Sequence, residues 1–532
     1  MRQQLRRLAI AAALLAAMAA AGPAVAQKQG GILRMYHWDS PPSLSIHEEV
    51  TNATIVPMMG VFNNLVMYKQ DEPKNSLQSI GPELATDWAW NEDGTQLTFR
   101  LREGVKWHDG TSFTAKDVQC TWRMLLGRTN EKLRTNPRKA WYQNVEDVTT
   151  EGDFRVTFQL KRPQPALLAL LASGYSPAYP CHISPREMRQ HPIGTGPFKL
   201  IEFKPNEYLK VTRNPDYWKS GRPYLDGIEY TIIPNRSTAI LSFIAGKFEM
   251  TFPYQVTVPL LKDVTSQAPQ AVCELRAFNS SGTLIINRNA PPFDAPDLRR
   301  AVALALDRKG FIDILTEGQG KIGTAMMPSP DGVWGMPAEM LRTLPGYDPD
   351  VQKNRGAARE LMKKLGYGPD NRLWIKVSAR NVPLLRDPAV ILISQLKEIY
   401  IDGELDAVET ANWFSKLAKK DFQIGFIFIP GGVDDPDQQF YENYACGSER
   451  NYSGYCNPEV EKLFDRQSME TDQEKRHQLV WEIDRKLQED EARPIIYYDS
   501  GATCWSPQLK GLTTMVNSGY NGWRMEDVWL DK

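Results

Sequence analysis

Histidine is scarce in this chain. Among 532 residues there are six, His37, His47, His108, His182, His191 and His477. No two of them stand at the spacing that presents a helical pair to a metal, and no HExxH occurs, which argues against a metalloprotease. The six cysteines include no CxxC, so neither a zinc ribbon nor a thioredoxin-like redox site is indicated. GxSxG is absent, which removes the nucleophile elbow of an α/β-hydrolase. A Walker A lysine motif is absent too, so any ATP-driven step belongs to another chain. One GxGxxG match exists at 318–323, but it follows a helical pattern and leads into Met326-Met327-Pro328. A dinucleotide site needs that motif between a strand and a helix. Acid pairs such as Asp434-Asp435 and Glu48-Glu49 are common, yet nothing in the sequence sets two acids across one sugar bond. No catalytic residue, metal or cofactor is assigned. Beyond residue 26 no apolar run approaches the roughly 20 residues that a membrane span requires.

Position by position, the chain opens with a basic stretch (Arg2, Arg6, Arg7), an apolar run at 8–21 and the small-residue site Ala24-Val25-Ala26. This is the layout of a cleaved secretory signal over 1–26, and Arg6-Arg7 leaves Sec and twin-arginine export both open. No cysteine follows the apolar run, against a lipoprotein anchor. Without the leader, 60 basic and 64 acidic residues remain, a net of −4, which argues against nucleic acid as a partner. About 506 residues are too many for one core, so two or three domains are expected. In an oxidising compartment disulfides are allowed. Cys446 and Cys456 enclose a short polar loop and are the expected pair, while Cys120, Cys181, Cys273 and Cys504 declare no partner.

Strand and helix patterns interleave for most of the length, the mark of an α/β protein. Leu97, Phe99 and Leu101 alternate with polar residues as a half-buried strand behind an Asp93-Gly94 turn. Thr114 with Asp117 is a capping box opening a helix, and Thr471 with Glu474 reads as another. Ser237 and Asp297 are expected to cap further helices, and Asn457-Pro458 to open one. Residues 198–203 and 208–211 form a hairpin pattern. Strands are expected at 284–287, 373–378, 424–429 and 495–498.

One stretch is more specific. It runs Pro82-Glu83-Leu84-Ala85-Thr86-Asp87-Trp88, then Leu97-Thr98-Phe99-Arg100-Leu101-Arg102-Glu103-Gly104-Val105-Lys106-Trp107-His108-Asp109-Gly110, then Phe113-Thr114-Ala115-Lys116-Asp117-Val118. Gly194-Thr195-Gly196-Pro197-Phe198, Arg213-Asn214-Pro215-Asp216-Tyr217-Trp218, the segments 287–308 and 357–367, and Tyr455-Cys456-Asn457-Pro458-Glu459-Val460 follow in order. Together they resemble extracellular solute-binding proteins of family 5, the peptide-type receptors of ABC importers, from about Gly31 to Asp531. The resemblance implies a two-lobed periplasmic-binding-protein fold of type II, with an extra subdomain and a hinge. Lobe I would take 27–60, 194–288 and 497–532, its extra subdomain 61–193, and lobe II 289–496. His108 within the signature reads as a group that bonds inside the subdomain. The implied function is a monomeric periplasmic receptor that captures an oligopeptide-like solute and passes it to a membrane permease with its own ATPase. A non-peptide solute (sugar, opine or amino-acid conjugate) and a secreted hydrolase are the alternatives.

A closing cleft needs aromatic walls and a few converging polar groups. Trp38, Asp39 and Ser40 follow the first strand, where the family commonly lines its pocket. Trp413 matches a tryptophan that flanks the ligand in peptide-binding members, or is a core residue. Phe428, Gly432, Asp434 and Asp435 lie at and beyond the strand 424–429. Peptide receptors carry there an Asp that pairs with the peptide's α-ammonium, and aligning on Asp435-Pro436 puts Gly432 in its place. Either Asp434 supplies the charge from two residues away, or the ligand lacks a free amino terminus. Arg380 is a candidate for holding a carboxylate, or a surface residue. Trp141, Tyr142, Tyr441 and Tyr444 complete the candidates.

Overall fold

The structure, a computed structural model, describes residues 27–532, so the leader expected over 1–26 lies outside the described residues. Among the described residues seventeen strands build five sheets. β1 (Ile32–His37) pairs in parallel with β10 (Gly227–Ile232), which continues antiparallel through β9 (Tyr208–Arg213) to β8 (Phe198–Lys204). The β8–β9 hairpin is the one read from 198–211.

Two short strands, β2 (Val66–Tyr68) and β3 (Ile80–Pro82), precede an antiparallel sheet of β4 (Ala85–Trp90), β5 (Gln96–Leu101), β6 (Val145–Glu151) and β7 (Arg155–Leu160), in the order β4-β5-β7-β6. Gly94 turns β4 into β5 with φ +68°, a conformation glycine adopts without steric cost. The helix Ala115–Leu125 covers this sheet, and its capping box of Thr114 and Asp117 is formed. Cys120 and Cys181 close a disulfide beside it. His108 differs from expectation. Its ring faces the Gly194 N–H and the Gly196 carbonyl, at 3.2 and 3.1 Å, so it joins this sheet's surroundings to the segment leading into β8. Burial pushes His108 down to about 4, so it stays neutral and acts as a hydrogen-bonding group.

The third large sheet orders β13 (Ile401–Val408), β12 (Leu373–Arg380), β14 (Ile424–Pro430), β11 (Val272–Ile286) and β15 (Ile495–Trp505). Only three residues of β11, 284–286, fall in the strand expected from the sequence, because its first half is polar and half-exposed while its second half is buried. That change of pattern along one strand has a physical meaning. Residues 272–277 pair with the far end of β15, whereas 281–286 pair with β14, and a register shift lies between them. β11 and β15 therefore run as a paired ribbon, one end within the sheet of β12–β14 and the other reaching beyond it. Bridges from Met250 to Met35 and Trp505 tie the ribbon to β1, and the Cys273–Cys504 disulfide locks its outer end.

Three helix starts differ from expectation. Asn235, not Ser237, accepts the Thr238 N–H; Ala295 precedes the helix in which Asp297 is first-turn; and Asp472, not Thr471, accepts the Lys475 N–H. In the first and third cases an Asn or Asp side chain stands within two residues of the Ser or Thr; Asp outranks Thr as a cap, whereas Asn and Ser are equivalent and position alone decides. Asn457 does cap the helix Pro458–Met469.

Candidate functional site

β1 delivers the first part of the site. It ends at His37, which burial holds neutral by pushing it down to about 3. Its Nε2 faces the Ala53 carbonyl at 3.0 Å and its Nδ1 accepts from the Asp39 N–H at 3.3 Å. These contacts fix the turn after the strand, so Trp38 and Asp39 project toward β12. There Arg380, the last residue of β12, pairs with Asp39. The Thr410 hydroxyl donates to the same Asp39 oxygen at 3.0 Å, and Arg380 Nε donates to Thr410 at 2.7 Å. The Arg380 guanidinium also lies 4.9 Å from the Trp38 ring centre. Burial pulls Arg380 down to about 9, which leaves it charged at neutral pH beside its carboxylate. An ion pair this far from water holds its partners in one geometry, and losing either leaves the other uncompensated. Arg380 is thus the structural partner of Asp39. Ser40 turns away, its hydroxyl accepting from the Asn206 N–H at 3.1 Å.

Next to this clasp is a chamber. Trp38, Val50, Tyr254, Phe278, Arg380, Leu384, Trp413, Phe414, Phe428, Arg450 and Tyr520 supply most of its wall. It leaves about 70 Å³ for the centre of a water-sized sphere. A vestibule leaving about 700 Å³ adjoins it and shares Val50, Phe414 and Arg450 with it. Glu48, Glu49, Arg134, Lys419 and Glu449 line the vestibule, so charged groups surround the larger space and aromatic rings the smaller. The wall is drawn from the turn after β1, from β11, β12, β14, the helix Thr410–Ala418 and the segment near Gly519. It therefore sits beside β11, between the turn after β1 and the end of β12.

The structure places the sequence candidates unevenly. Trp38, Arg380, Trp413 and Phe428 line the chamber. Trp141 lies behind it, its indole N–H donating to Glu442 at 2.5 Å. Tyr142 is in the core, bonded to the Ser176 hydroxyl at 2.6 Å. Gly432 faces Trp141 and Tyr175: a Cβ there would lie 3.1 Å from the Trp141 ring and 3.2 Å from the Tyr175 ring. Its carbonyl accepts from Asn521 at 3.0 Å. Asp434 is turned outward from the chamber and accepts from the Val333 N–H at 3.1 Å and from Asn517 at 3.3 Å. Burial pushes Asp434 up to about 6. Asp435 caps the helix Pro436–Asn443 and pairs with Arg476 at 2.8 Å. Tyr441 and Tyr444 belong to a separate core with Phe440 and Phe464. Cys446 and Cys456 close a disulfide.

Tyr254, Phe278, Arg450 and Tyr520 carry no sequence signal that marks them as wall residues. Tyr254 stands in a left-handed turn, φ +57°, and stacks on Phe278 with ring centres 5.1 Å apart. The one usable hint was the half-exposed start of β11, since a strand with a polar half next to a buried half passes an opening.

Chemically the chamber is a donor-rich aromatic box. The indole N–H groups of Trp38 and Trp413 and the Nε of Arg450 have no acceptor among the described residues. A buried donor without a partner is costly, so these groups are free to meet an acceptor. No group of three or more His, Cys, Asp or Glu positioned for a metal is found among the described residues.

The chain belongs to the bacterial extracellular solute-binding proteins, family 5: the pattern of that family's middle region matches residues 79–451. Members are binding proteins rather than enzymes, and they serve ABC transport systems. A probable di/tripeptide-binding protein 5 of Pseudomonas aeruginosa is 25% identical, over 77% of this chain and 80% of that protein. Among solved structures, the ABC transporter-associated periplasmic binding protein DppA of Helicobacter pylori in complex with the peptide STSA superposes with a TM-score of 0.83. It is 22% identical and covers 95% of this chain and 99% of that one. PBP AgaA of A. tumefaciens R10 in complex with agropinic acid superposes with a TM-score of 0.81, at 21% identity, 94% of this chain and 99% of that one. These likenesses establish a mixed α/β periplasmic-binding-protein fold over nearly the whole chain.

Proposed function

We propose that this protein is the secreted receptor of an ABC importer and captures a peptide-like solute, unmodified, in the chamber between its two bodies. The observation that carries the reading is the Asp39–Arg380 pair. It joins the turn after β1 to the end of β12, beside an aromatic box with unpartnered donors. Closure of two bodies over a solute would form this pair and exclude water from the box. Lobe I would comprise 27–60, 194–288 and 497–532, lobe II 289–496, and the extra subdomain 61–193, with β11 and β15 as the hinge. A leader over 1–26 would deliver the chain outside the inner membrane as a monomer, and the closed form would dock on a permease whose ATPase is separate. Relatives named for di/tripeptides support a peptide-like solute. The relative named with agropinic acid supports the second reading, a conjugate without a free amino terminus. Gly432 favours that reading, because the space a side chain would take there is filled by Trp141 and Tyr175.

The test is mass spectrometry of whatever small molecule co-purifies with the natively folded protein, with thermal melting in the presence of peptides, amino-acid conjugates and sugars. A solute that binds only the folded state raises the melting temperature. The expected result is one such class that co-purifies and shifts melting. If nothing co-purifies and no class shifts melting, the receptor reading fails.

A further inference from the structure

The stretch 61–193 meets the rest of the chain along two seams of opposite chemistry. On one side Glu83 pairs with Arg524 at 2.6 Å and with Lys219 at 2.7 Å, and Lys219 pairs with Glu526 at 2.6 Å. Glu83 and Arg524 are fully enclosed. Parting this side would strand buried charges, which is strongly destabilising, so it acts as a weld.

The other side faces the helices Pro436–Asn443 and Pro458–Met469. The first of these carries two buried carboxylates, Asp437 and Glu442. Asp437 is held from its own side of the seam by Gln467 at 2.6 Å, Ser468 at 2.7 Å and Arg476 at 3.4 Å. Glu442 is held likewise by Arg450 and Gln438. Each then accepts one neutral donor from across the seam. Gln164 reaches Asp437 at 2.8 Å, and Trp141 reaches Glu442 at 2.5 Å. Arg162, just past the end of β7, donates across the same seam to the Tyr441 hydroxyl at 2.6 Å, to Ser468 at 3.2 Å and to Asp465.

This second seam can part without stranding a buried charge. Asp437 and Glu442 keep their own cations, while Arg162 and Asp465, already partly exposed, pass into water. Tyr441, Phe440 and Phe464 also belong to an apolar cluster separate from the one that holds Phe158 and Leu160 of β7. A polar contact of this kind is what domains that move against each other share. Arg162, Gln164, Asp437 and Asp465 line neither the chamber nor the vestibule.

We propose that Arg162 and Gln164 are positioning residues that latch the stretch 61–193 onto the acid-bearing helix Pro436–Asn443 when the bodies close, so that retention of the solute depends on a contact the solute never touches. This rests on reading the molecule as two bodies that close on a solute. The stretch 61–193, welded to one body, is then an arm that grips the other.

The three disulfides use all six cysteines. Asp153→Cys and Glu459→Cys, at exposed positions on the two sides, therefore take nitroxide labels selectively. Pulsed electron spin resonance then measures their separation in protein as purified and in protein stripped of solute in urea, disulfides intact, and refolded. Labelled protein with no other change is expected to show a short distance as purified and a longer one when stripped. Gln164→Glu has the same size and keeps the bond from Asn144 at 3.1 Å, but it turns a carboxylate toward Asp437 in place of a donor. As purified, it is expected to lower the ratio of short to long distances about tenfold, since a hydrogen bond to a charged group is worth that factor or more. Arg162→Ala removes only cross-seam side-chain bonds among the described residues. It is expected to shift the ratio the same way, and it carries the test should Gln164→Glu fail to fold. A distance that changes with solute in the parent, yet is unaltered in a folded variant, overturns the latch and leaves the receptor reading standing. One unchanging distance in the parent, short or long, overturns the latch too, and the receptor reading is then judged by the co-purification experiment alone.

Discussion

Asp39 shows what one residue decides here. Its carboxylate takes Arg380 on one oxygen together with Thr410, and the Ser40 N–H on the other at 2.9 Å. Asp39→Ala strands a buried guanidinium, and breaking such a pair costs about 3–5 kcal/mol. Chemical denaturation of ligand-free protein is expected to show a loss of that order, with Arg380→Met milder because the Asp39 carboxylate it leaves behind keeps the Thr410 hydroxyl and the Ser40 N–H. Gly432 is informative in a different way. Gly432→Asp does not create an amine-binding carboxylate. It drives a side chain into Trp141 and Tyr175, so the variant is expected to lose stability by roughly 1–3 kcal/mol, the usual cost of overpacking, with no gain for free dipeptides in a melting assay. At this scale the sequence was legible for aromatic residues next to strand ends, Trp38 and Phe428. It was not legible for Asp434 and Asp435, whose partners Asn517 and Arg476 lie 83 and 41 positions away. An acid beside Gly-Gly looks the same whether it faces a solute or caps a helix.

Among the elements, the β11–β15 ribbon matters most. Two strands of 15 and 11 residues carry the passage between bodies, and Cys273–Cys504 clamps their outer end across a separation of 231 residues. A bridge that closes so long a loop constrains the unfolded chain strongly. Cys273→Ser with Cys504→Ser is expected to cost about 2–5 kcal/mol, measured by denaturant midpoint. Cys446–Cys456, spanning 10 residues, is expected to contribute less by the same argument. Strands such as β5, β8, β9 and β14 were readable because alternation or a continuous apolar run identified them. Half of β11 was not, because residues 272–277 face water on one side and carry charges that pattern reading assigns to a loop. Long-range pairing alone makes that half a strand. Cap positions failed for a smaller reason: where Ser or Thr stands near Asn or Asp, periodicity does not say which one begins the helix.

For the molecule as a whole, buried acids set the pH response. Burial pushes Asp434, Asp484 and Asp499 up to about 6 and Glu491 up to about 7. Such groups keep their protons in the folded state after the unfolded chain has lost them. Their contribution is therefore fully present below about pH 4 and is lost as pH rises through 6 and 7. Carboxylates pushed the other way by ion pairs, such as Glu249 beside Arg34 and Lys532, weaken the fold only at more acidic pH. Ligand-free protein is thus expected to melt higher at pH 5 than at pH 8. Asp434→Asn is expected to recover about 2 kcal/mol at pH 8 and almost nothing at pH 4, because displacing a titration by a single pH unit is worth about 1.4 kcal/mol. A melting curve flat between pH 5 and 8, or steeper for Asp434→Asn than for wild type, contradicts this. The two-bodied architecture and its family were legible because the motifs lie in order along the whole chain. The pairing of Asp39 with Arg380 was not, since it follows from which arginine reaches which acid after folding.

The chamber's floor comes from a stretch far along the chain from the sheets beneath it. Gly519 and Tyr520 form part of its wall, Asn521 grips the Gly432 carbonyl, and Arg524 is buried against Glu83. Segments separated by more than 400 positions must therefore meet before the box has a bottom. Any sheet can be in place while the box still lacks its bottom, so completion of the chamber reports the late docking of remote segments and not the folding of one of them.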